Sequence, residues 1–259
     1  MVRCNKCNDT GWIQTDKGVI RCDCIIERAK EEIWRVMRIP RKYIDAEIWS
    51  FSLYGFKERI GIQRRVEEYI DSNDLERGMG LYIYGDYGSG KTYLAVAILK
   101  EIYRKKGIIG LFYDVGSLLY DLRDSYSGNG SLSSKILNKI KKTKLLVLDD
   151  LGSERPSDWA KDIIQYIIFS RYNEKLPTII TSNIPIKHTE KHTENTETIE
   201  TRFGKAVSTR IIETTYLVEM PQTNIREHLS PDKISKVVET PKIDTPVVEI
   251  NKKKKKKKS

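Results

Sequence analysis

The sequence predicts an α/β fold: three layers, α/β/α, built on a parallel sheet and preceded by a small cysteine-rich module. Three observations carry this. From Leu81 onward, short and almost wholly apolar runs alternate with helix-length segments, the pattern of strands buried on both faces and joined by crossover helices. The stretch LYIYGDYGSGKTYLAVAILKEI, Leu81–Ile102, holds G-x-x-x-x-G-K-T between a strand signal and a helix signal, the context in which a phosphate-binding loop is credible. All four cysteines fall within the first 24 residues.

The loop chemistry follows from residue type. Gly85, Gly88 and Gly90 let the backbone turn tightly, so that N–H groups from Gly85, Asp86, Tyr87, Gly88, Ser89, Gly90, Lys91 and Thr92 can converge on one anion. The helix starting near Lys91 adds the positive end of its dipole. Lys91 then reaches the β- and γ-phosphates of ATP, and the Thr92 hydroxyl ligates Mg²⁺. The bland alternative is a glycine-rich turn with a chance lysine; the flanking strand and helix weigh against it.

A length of 259 residues with 39% hydrophobic and 32% charged residues suits one full domain with attachments and a real core. No apolar run is long enough to span a bilayer. The opening MVRCNKC has no apolar segment behind its charges, so no secretory signal is expected and the cytoplasm is the default address. The net charge of +10 includes seven lysines at Lys252–Lys258. The body is therefore only mildly basic, and any basic groove must come from local clustering.

Cys4, Cys7, Cys22 and Cys24 are spaced C-x₂-C, fourteen residues, C-x-C. Two close pairs across a hairpin-length segment suit a tetrahedral, closed and hence structural Zn²⁺ site. The metal would supply folding energy that so small a unit cannot draw from a core. Two disulfides or four unrelated thiols are the alternatives. Expected boundaries are 1–40 for a zinc-binding, partner-binding module and 41–80 for a connector helix region. Residues 81–222 form the ATPase domain, and 223–259 a disordered polar tail ending in oligo-lysine.

In order, Ile25–Arg38 reads as an amphipathic helix stopped at Ile39-Pro40. Arg41–Leu53 reads as a packed connector and Lys57–Ser72 as a second helix. After the loop come a helix (Tyr93–Lys106), a strand (Ile108–Asp114), a helix (Ser117–Asp124) and a flexible turn (Ser125–Ser131). A helix (Ser133–Lys142), a strand (Lys144–Asp150), a long helix (Ser157–Glu174) and a strand (Pro177–Ser182) follow. Asn183–Glu200 is polar and reads as a surface loop. Its His188 and His192 lack the glutamate that a zincin pattern places directly after the first histidine. Thr201–Ile212 returns to helix, and Thr215–Met220 is the last strand. The oligo-lysine end is either a nucleic-acid-attracting tail or a solubilising one.

Two further stretches bear on the nucleotide. In LLVLDDLG, Leu145–Gly152, an apolar strand ends in two acids at the edge where open α/β sheets bind ligands. Asp149 would hold Mg²⁺ through water, and Asp150 would orient the attacking water. In PTIITSN, Pro177–Asn183, the strand ends in Thr-Ser-Asn, which would put an amide beside the γ-phosphate, between the loop and Asp149; taken without the other two motifs, a simple strand-ending turn is an equal reading.

GDYGSGKT, LLVLDDLGSE, LPTIITSN and RFGKAVSTRI, in that order, resemble the AAA+ module of DnaC/DnaI-type helicase loaders, which IstB transposition helpers share. The N-terminal CxxC…GW…VIRCDC followed by RIPRKY resembles zinc-bearing members of the loader group. The likeness covers about residues 1–226. It implies an AAA+ P-loop NTPase fold and a catalytic set of Lys91, Asp149, Asp150 and Asn183, the last as sensor 1. It also implies that Arg210 is an arginine finger reaching a neighbouring subunit's γ-phosphate, with Arg202 supporting the same surface. Arg226 falls where a sensor-2 arginine would lie, although little apolar material follows Met220 to build a lid.

The leading expectation is an ATPase that loads a DnaB-type replicative helicase onto single-stranded DNA. It would be slow as an isolated subunit, a homo-oligomer when ATP-bound, and away from membranes. Tyr120, Arg123, Tyr126 and Lys135–Lys142 offer stacking and phosphate contacts to single strands, or are core tyrosines and a solvated helix face. The alternatives are an IstB-like helper binding duplex DNA, and an ATP switch with little turnover, which Asp150 in place of the commoner Glu keeps open.

Overall fold

The computed structural model of the chain describes residues 4–16, 18–51, 57–127, 131–154, 157–188 and 196–222. Arg226, His192, the oligo-lysine end and the middle of the expected turn after Asp124 lie outside the described residues. Near the N-terminus, β1 (Trp12–Thr15) and β2 (Gly18–Arg21) pair as an antiparallel ribbon. The apolar runs become β3 (Gly80–Tyr84), β4 (Leu111–Asp114), β5 (Leu146–Leu151), β6 (Thr178–Ser182) and β7 (Thr215–Glu219). These five form one sheet in the order β4-β5-β6-β3-β7, every pair parallel.

Successive strand residues face opposite sides of a sheet, and this sorts the core into two layers. Leu81 and Ile83 of β3, Val147 of β5 and Ile179 of β6 pack on one side. Tyr82, Leu146, Leu148 and Ile180 pack on the other. The first layer is covered by α4 (Lys91–Lys106), α3 (Lys57–Asp71), the end of α1 (Asp23–Val36) and the short α2 (Ile48–Phe51). The second is covered by α5 (Val115–Ser127), α6 (Ser131–Lys142), α7 (Asp158–Asn173), α8 (Ile199–Phe203) and α9 (Lys205–Thr214). The expected three-layer α/β/α arrangement is what forms. No helix among the described residues is long and apolar enough to cross a membrane.

The connector after α1 is a 3₁₀ turn at Arg41–Tyr43 followed by α2. It is fastened by a buried ammonium: Lys100 of α4 donates to the carbonyls of Ile44 (2.7 Å) and Ala46 (2.8 Å) and to Glu47 Oε1 (3.0 Å). Trp34, Ile48 and Phe51 share the apolar layer of α4. The expected helix Thr201–Ile212 is instead two, broken at Gly204, where φ is 90°. The first of them begins at Thr198, which forms a capping box with Thr201. This cap starts the helix inside the polar segment expected to be loop, because threonine oxygens satisfy the free N–H groups of a first turn.

Two contacts fix the start of β6. A Cβ at Gly80 would stand 1.9 Å from the Thr178 carbonyl oxygen, so the close approach of β3 and β6 requires glycine there. Arg171 of α7 is fully buried and gives every nitrogen an acceptor. Nε donates to Thr178 Oγ1 (2.8 Å), Nη1 to the carbonyls of Ile140 (2.8 Å) and Thr143 (2.9 Å), and Nη2 to that of Pro177 (2.6 Å). One side chain thereby ties α6, α7 and β6 together. Arg171→Met is expected to lower unfolding stability by about 2–4 kcal/mol, since several acceptors lose their donor at once. A reduced urea midpoint with unchanged slope would register this.

Candidate nucleotide-binding site

β3 ends at Tyr84 and α4 begins at Lys91, with Gly90 as the residue before the helix at φ 96°. That backbone conformation is open to glycine and strained for other residues. Lys91 is buried, and its ammonium donates to the carbonyls of Gly85 (2.8 Å) and Asp86 (2.9 Å) and to Asn183 Oδ1 (2.6 Å). The loop thus curls around its own lysine. Asn183, at the end of β6, uses its other amide atom as well: Nδ2 donates to Asp150 Oδ1 at 2.8 Å. One amide therefore bridges the loop lysine and the second acid of β5.

Asp149 is buried at the end of β5. Thr92 Oγ1 donates to its Oδ2 (3.1 Å), and Thr181 Oγ1 to its Oδ1 (2.6 Å). The same Thr181 oxygen accepts the Asp150 N–H (2.8 Å). Asp150 has φ 61°, and the β5–β6 register shifts between Leu148 and Leu151. In a regular strand neighbouring side chains point to opposite faces. A bulge with one residue left-handed re-aims them, and so both carboxylates bond partners at this strand end. Burial pushes Asp149 up from 3.8 to about 6, against the pull of the Thr181 and Thr92 hydroxyls; Asp150 and Asp114 add to the rise. A divalent cation between Thr92 and Asp149 would favour the charged form.

Of the residues expected from sequence, Lys91, Thr92, Asp149, Asp150 and Asn183 are joined in one hydrogen-bonded cluster at the carboxyl ends of β5 and β6. Gly85 and Asp86 line it through their carbonyls. Tyr87 is exposed, with Lys91 Nζ 5.8 Å from its ring centroid, and Ser89 is buried. Arg210 is elsewhere: its guanidinium lies 3.7 Å from the Phe169 ring centroid, and Nη1 donates to Ala206 of its own helix at 3.0 Å. The Arg202 side chain is largely covered in an intrachain cluster. It pairs with Glu154 Oε1 (3.3 Å) and Glu197 Oε1 (2.8 Å) and donates to the Glu154 carbonyl. Glu154 in turn accepts the Gly152 N–H at 2.9 Å. Thr181, Asp114 and Glu154 were not singled out from sequence. Thr181 alone had a signal there, as one of the polar residues near the carboxyl end of the strand in PTIITSN.

The four cysteine sulfurs lie within 4.8 Å of one another. Cys4 and Cys22 are 3.7 Å apart and Cys7 and Cys24 3.4 Å. Four thiolates around a tetrahedral zinc would sit about 3.8 Å apart, so the set fits such an ion and is far from disulfide distance. The backbone N–H groups of Cys7 and Lys6 hold the Cys4 thiol down at about 7. The Cys7 thiol beside it and burial push Cys24 up to about 12. Crowding of this kind is relieved by a shared cation. The Gly11 N–H also donates to Cys7 Sγ (3.3 Å), a contact that suits a charged sulfur.

The family model described as IstB-like ATP binding protein matches residues 23–229. The chain belongs to this ATP-binding family. It is 32% identical over 184 residues to the replicative helicase loader DnaI of Bacillus subtilis (strain 168), across 69% of this chain and 58% of the loader. The match thus spans little more than half of that relative's length. A crystal structure of the DnaC helicase loader superposes with a TM-score of 0.62 at 33% identity, covering 70% of this chain and 100% of that one. A crystal structure of DnaI gives 0.58 at 30% identity, covering 71% and 96%. The sheet and its covering helices are those of an AAA+ module.

The buried acid ties stability to pH. With its folded value raised to about 6, Asp149 binds its proton more tightly folded than unfolded. It adds no penalty below pH 4 and a growing one as pH rises through 6, reaching about 3 kcal/mol. Without nucleotide or Mg²⁺, Asp149→Asn should lose this slope and unfold at higher urea than wild type at pH 7.5. Urea titrations across pH 4–8 measure both. With Mg²⁺·ATP the order should reverse, since only the carboxylate gains from the cation.

Proposed function

We propose that this chain is an ATP-dependent loader that places a DnaB-type hexameric replicative helicase on single-stranded DNA. The observation that carries the reading is a likeness to the DnaC helicase loader over that structure's full length, together with the Lys91–Asn183–Asp150 and Thr92–Asp149–Thr181 contacts. In this reading Lys91 leaves the Gly85 and Asp86 carbonyls for the β- and γ-phosphates. Thr92 and Asp149 hold Mg²⁺, Asp150 orients water toward the γ-phosphorus, and the bond to the ADP oxygen breaks. Asn183 senses the γ-phosphate. Arg210 of one subunit completes the site of the next, so hydrolysis requires assembly. Four thiolates hold Zn²⁺ in the N-terminal module that grips the helicase. The exposed Tyr120, Arg123 beside Trp159, and the lysines of α6 would bind single strands; the Tyr126 side chain lies outside the described residues. Such work is done in the cytoplasm.

Mixed with the replicative helicase of its own host, the protein should form an ATP-sensitive complex and speed loading onto circular single-stranded DNA. Lys91→Ala should abolish both. Absence of a complex with and without ATP would sink the reading, and recovery of a transposase in its place would favour the IstB-like one. Arg210→Ala should keep nucleotide affinity but lose about 10³-fold of the assembled turnover, measured as phosphate release at high protein concentration. Removal of metal by a strong chelator should release one zinc per chain and abolish the helicase complex, while ATP affinity stays within about twofold because the loop is built on a separate core.

A further inference from the structure

Arg59 of α3 and Arg171 of α7 are both fully buried, but they are used differently. Arg171 gives all its nitrogens acceptors and serves as a staple. Arg59 does not: Nη2 donates to the Ser89 carbonyl at 2.9 Å, whereas Nε and Nη1 have no partner among the described residues. Its guanidinium carbon lies 4.9 Å from the centroid of Phe51, and burial lowers its pKa. A buried cation with one neutral acceptor is a poor stabilising device, and unsatisfied buried donors call for a reason. The acceptor is the backbone of the phosphate loop. None of the peptide bonds among the described residues is cis, so the Ser89 C=O and the Gly90 N–H, which share one planar unit, point in opposite directions. Holding the carbonyl toward α3 therefore aims the Gly90 N–H away from α3. A charged donor on the oxygen also polarises the unit and strengthens its N–H.

We propose that Arg59 is a positioning residue for phosphate binding: it orients and strengthens the Gly90 N–H by holding the Ser89 carbonyl. The proposal rests on the ATP-binding reading of the loop and adds to it a residue remote in sequence. The test uses the full chain and calorimetric Kd values for Mg²⁺·ATP and ADP, with the thermal midpoint measured without nucleotide. Arg59→Met should weaken both nucleotides by about tenfold or more, the value of a charge-assisted bond. Its nucleotide-free midpoint should be unchanged or higher, since an underpaired buried cation has been replaced by an apolar chain. Arg59→Lys should recover part of the affinity. Unchanged affinity in Arg59→Met overturns the proposal. So does a variant that fails to fold or melts lower without nucleotide, because Arg59 would then be a staple like Arg171. Wild-type binding that Lys91→Ala does not weaken would overturn the phosphate-loop reading itself, and the proposal with it.

Discussion

The site depends on one hydroxyl. Thr181 sits on β6, the strand between the loop strand β3 and the acid strand β5. Its oxygen donates to Asp149 and accepts from the Asp150 backbone. That double contact gives the buried carboxylate a donor beside Thr92 and joins Asn183 and Ser153 in holding the left-handed turn at Asp150. A buried charge needs hydrogen-bond partners to exist at all, and a residue at positive φ persists only where its surroundings over-determine it. The hydroxyl contributes to both conditions. It does so because the strand order inserts β6 between the two motifs, and threonine is a residue that fits a buried strand and still carries a donor.

The same constraint governs Lys91. A buried ammonium must find acceptors, and the loop turns its own carbonyls toward it, with Asn183 completing the set. These are acceptors where a phosphate would bring oxygens. The amide that helps hold the lysine also donates to Asp150, so any ligand that draws Lys91 away changes the environment of the second acid. Asn183 thus contacts both groups directly, through two short bonds.

Much of this was legible in the sequence, and the limits have physical causes. The apolar alternation marked the layers, because a parallel strand buried on both faces reads as a short, near-continuous apolar run, here set between helix-length segments. The loop was legible because glycine spacing and a following helix are local. The approach of Asn183 to the loop was legible too, since a strand's end sets where its last side chain lies. What was hidden is long-range or conformational. The bulge that brings Asp149 and Asp150 to one edge leaves no mark in LLVLDDLG. The break at Gly204 divides an even helical pattern because a capped turn begins earlier, at Thr198. Arg59 and its acceptor Ser89 are thirty residues apart, and an arginine in an amphipathic helix reads as a solvated face until its burial is seen.

How tightly Arg202 and Arg210 are held is an energetic question, and their contacts differ. The Arg202 side chain is largely covered, pairs with Glu154 and with the half-exposed Glu197, and donates to the Glu154 backbone. Withdrawing it would strand the Glu154 carboxylate, which is largely covered and accepts the Gly152 N–H, at a cost of about 3–5 kcal/mol. Arg210 lies over Phe169 and near Tyr172 and uses one carbonyl of its own helix. A partly exposed cation–π contact is worth about 0.5–1 kcal/mol, and the Nε of Arg210 is buried without a partner among the described residues. The two arginines therefore differ in kind: Arg202 braces the loop after β5 within its own chain, so that removing it would dismantle that loop, whereas the local ties of Arg210 are weak.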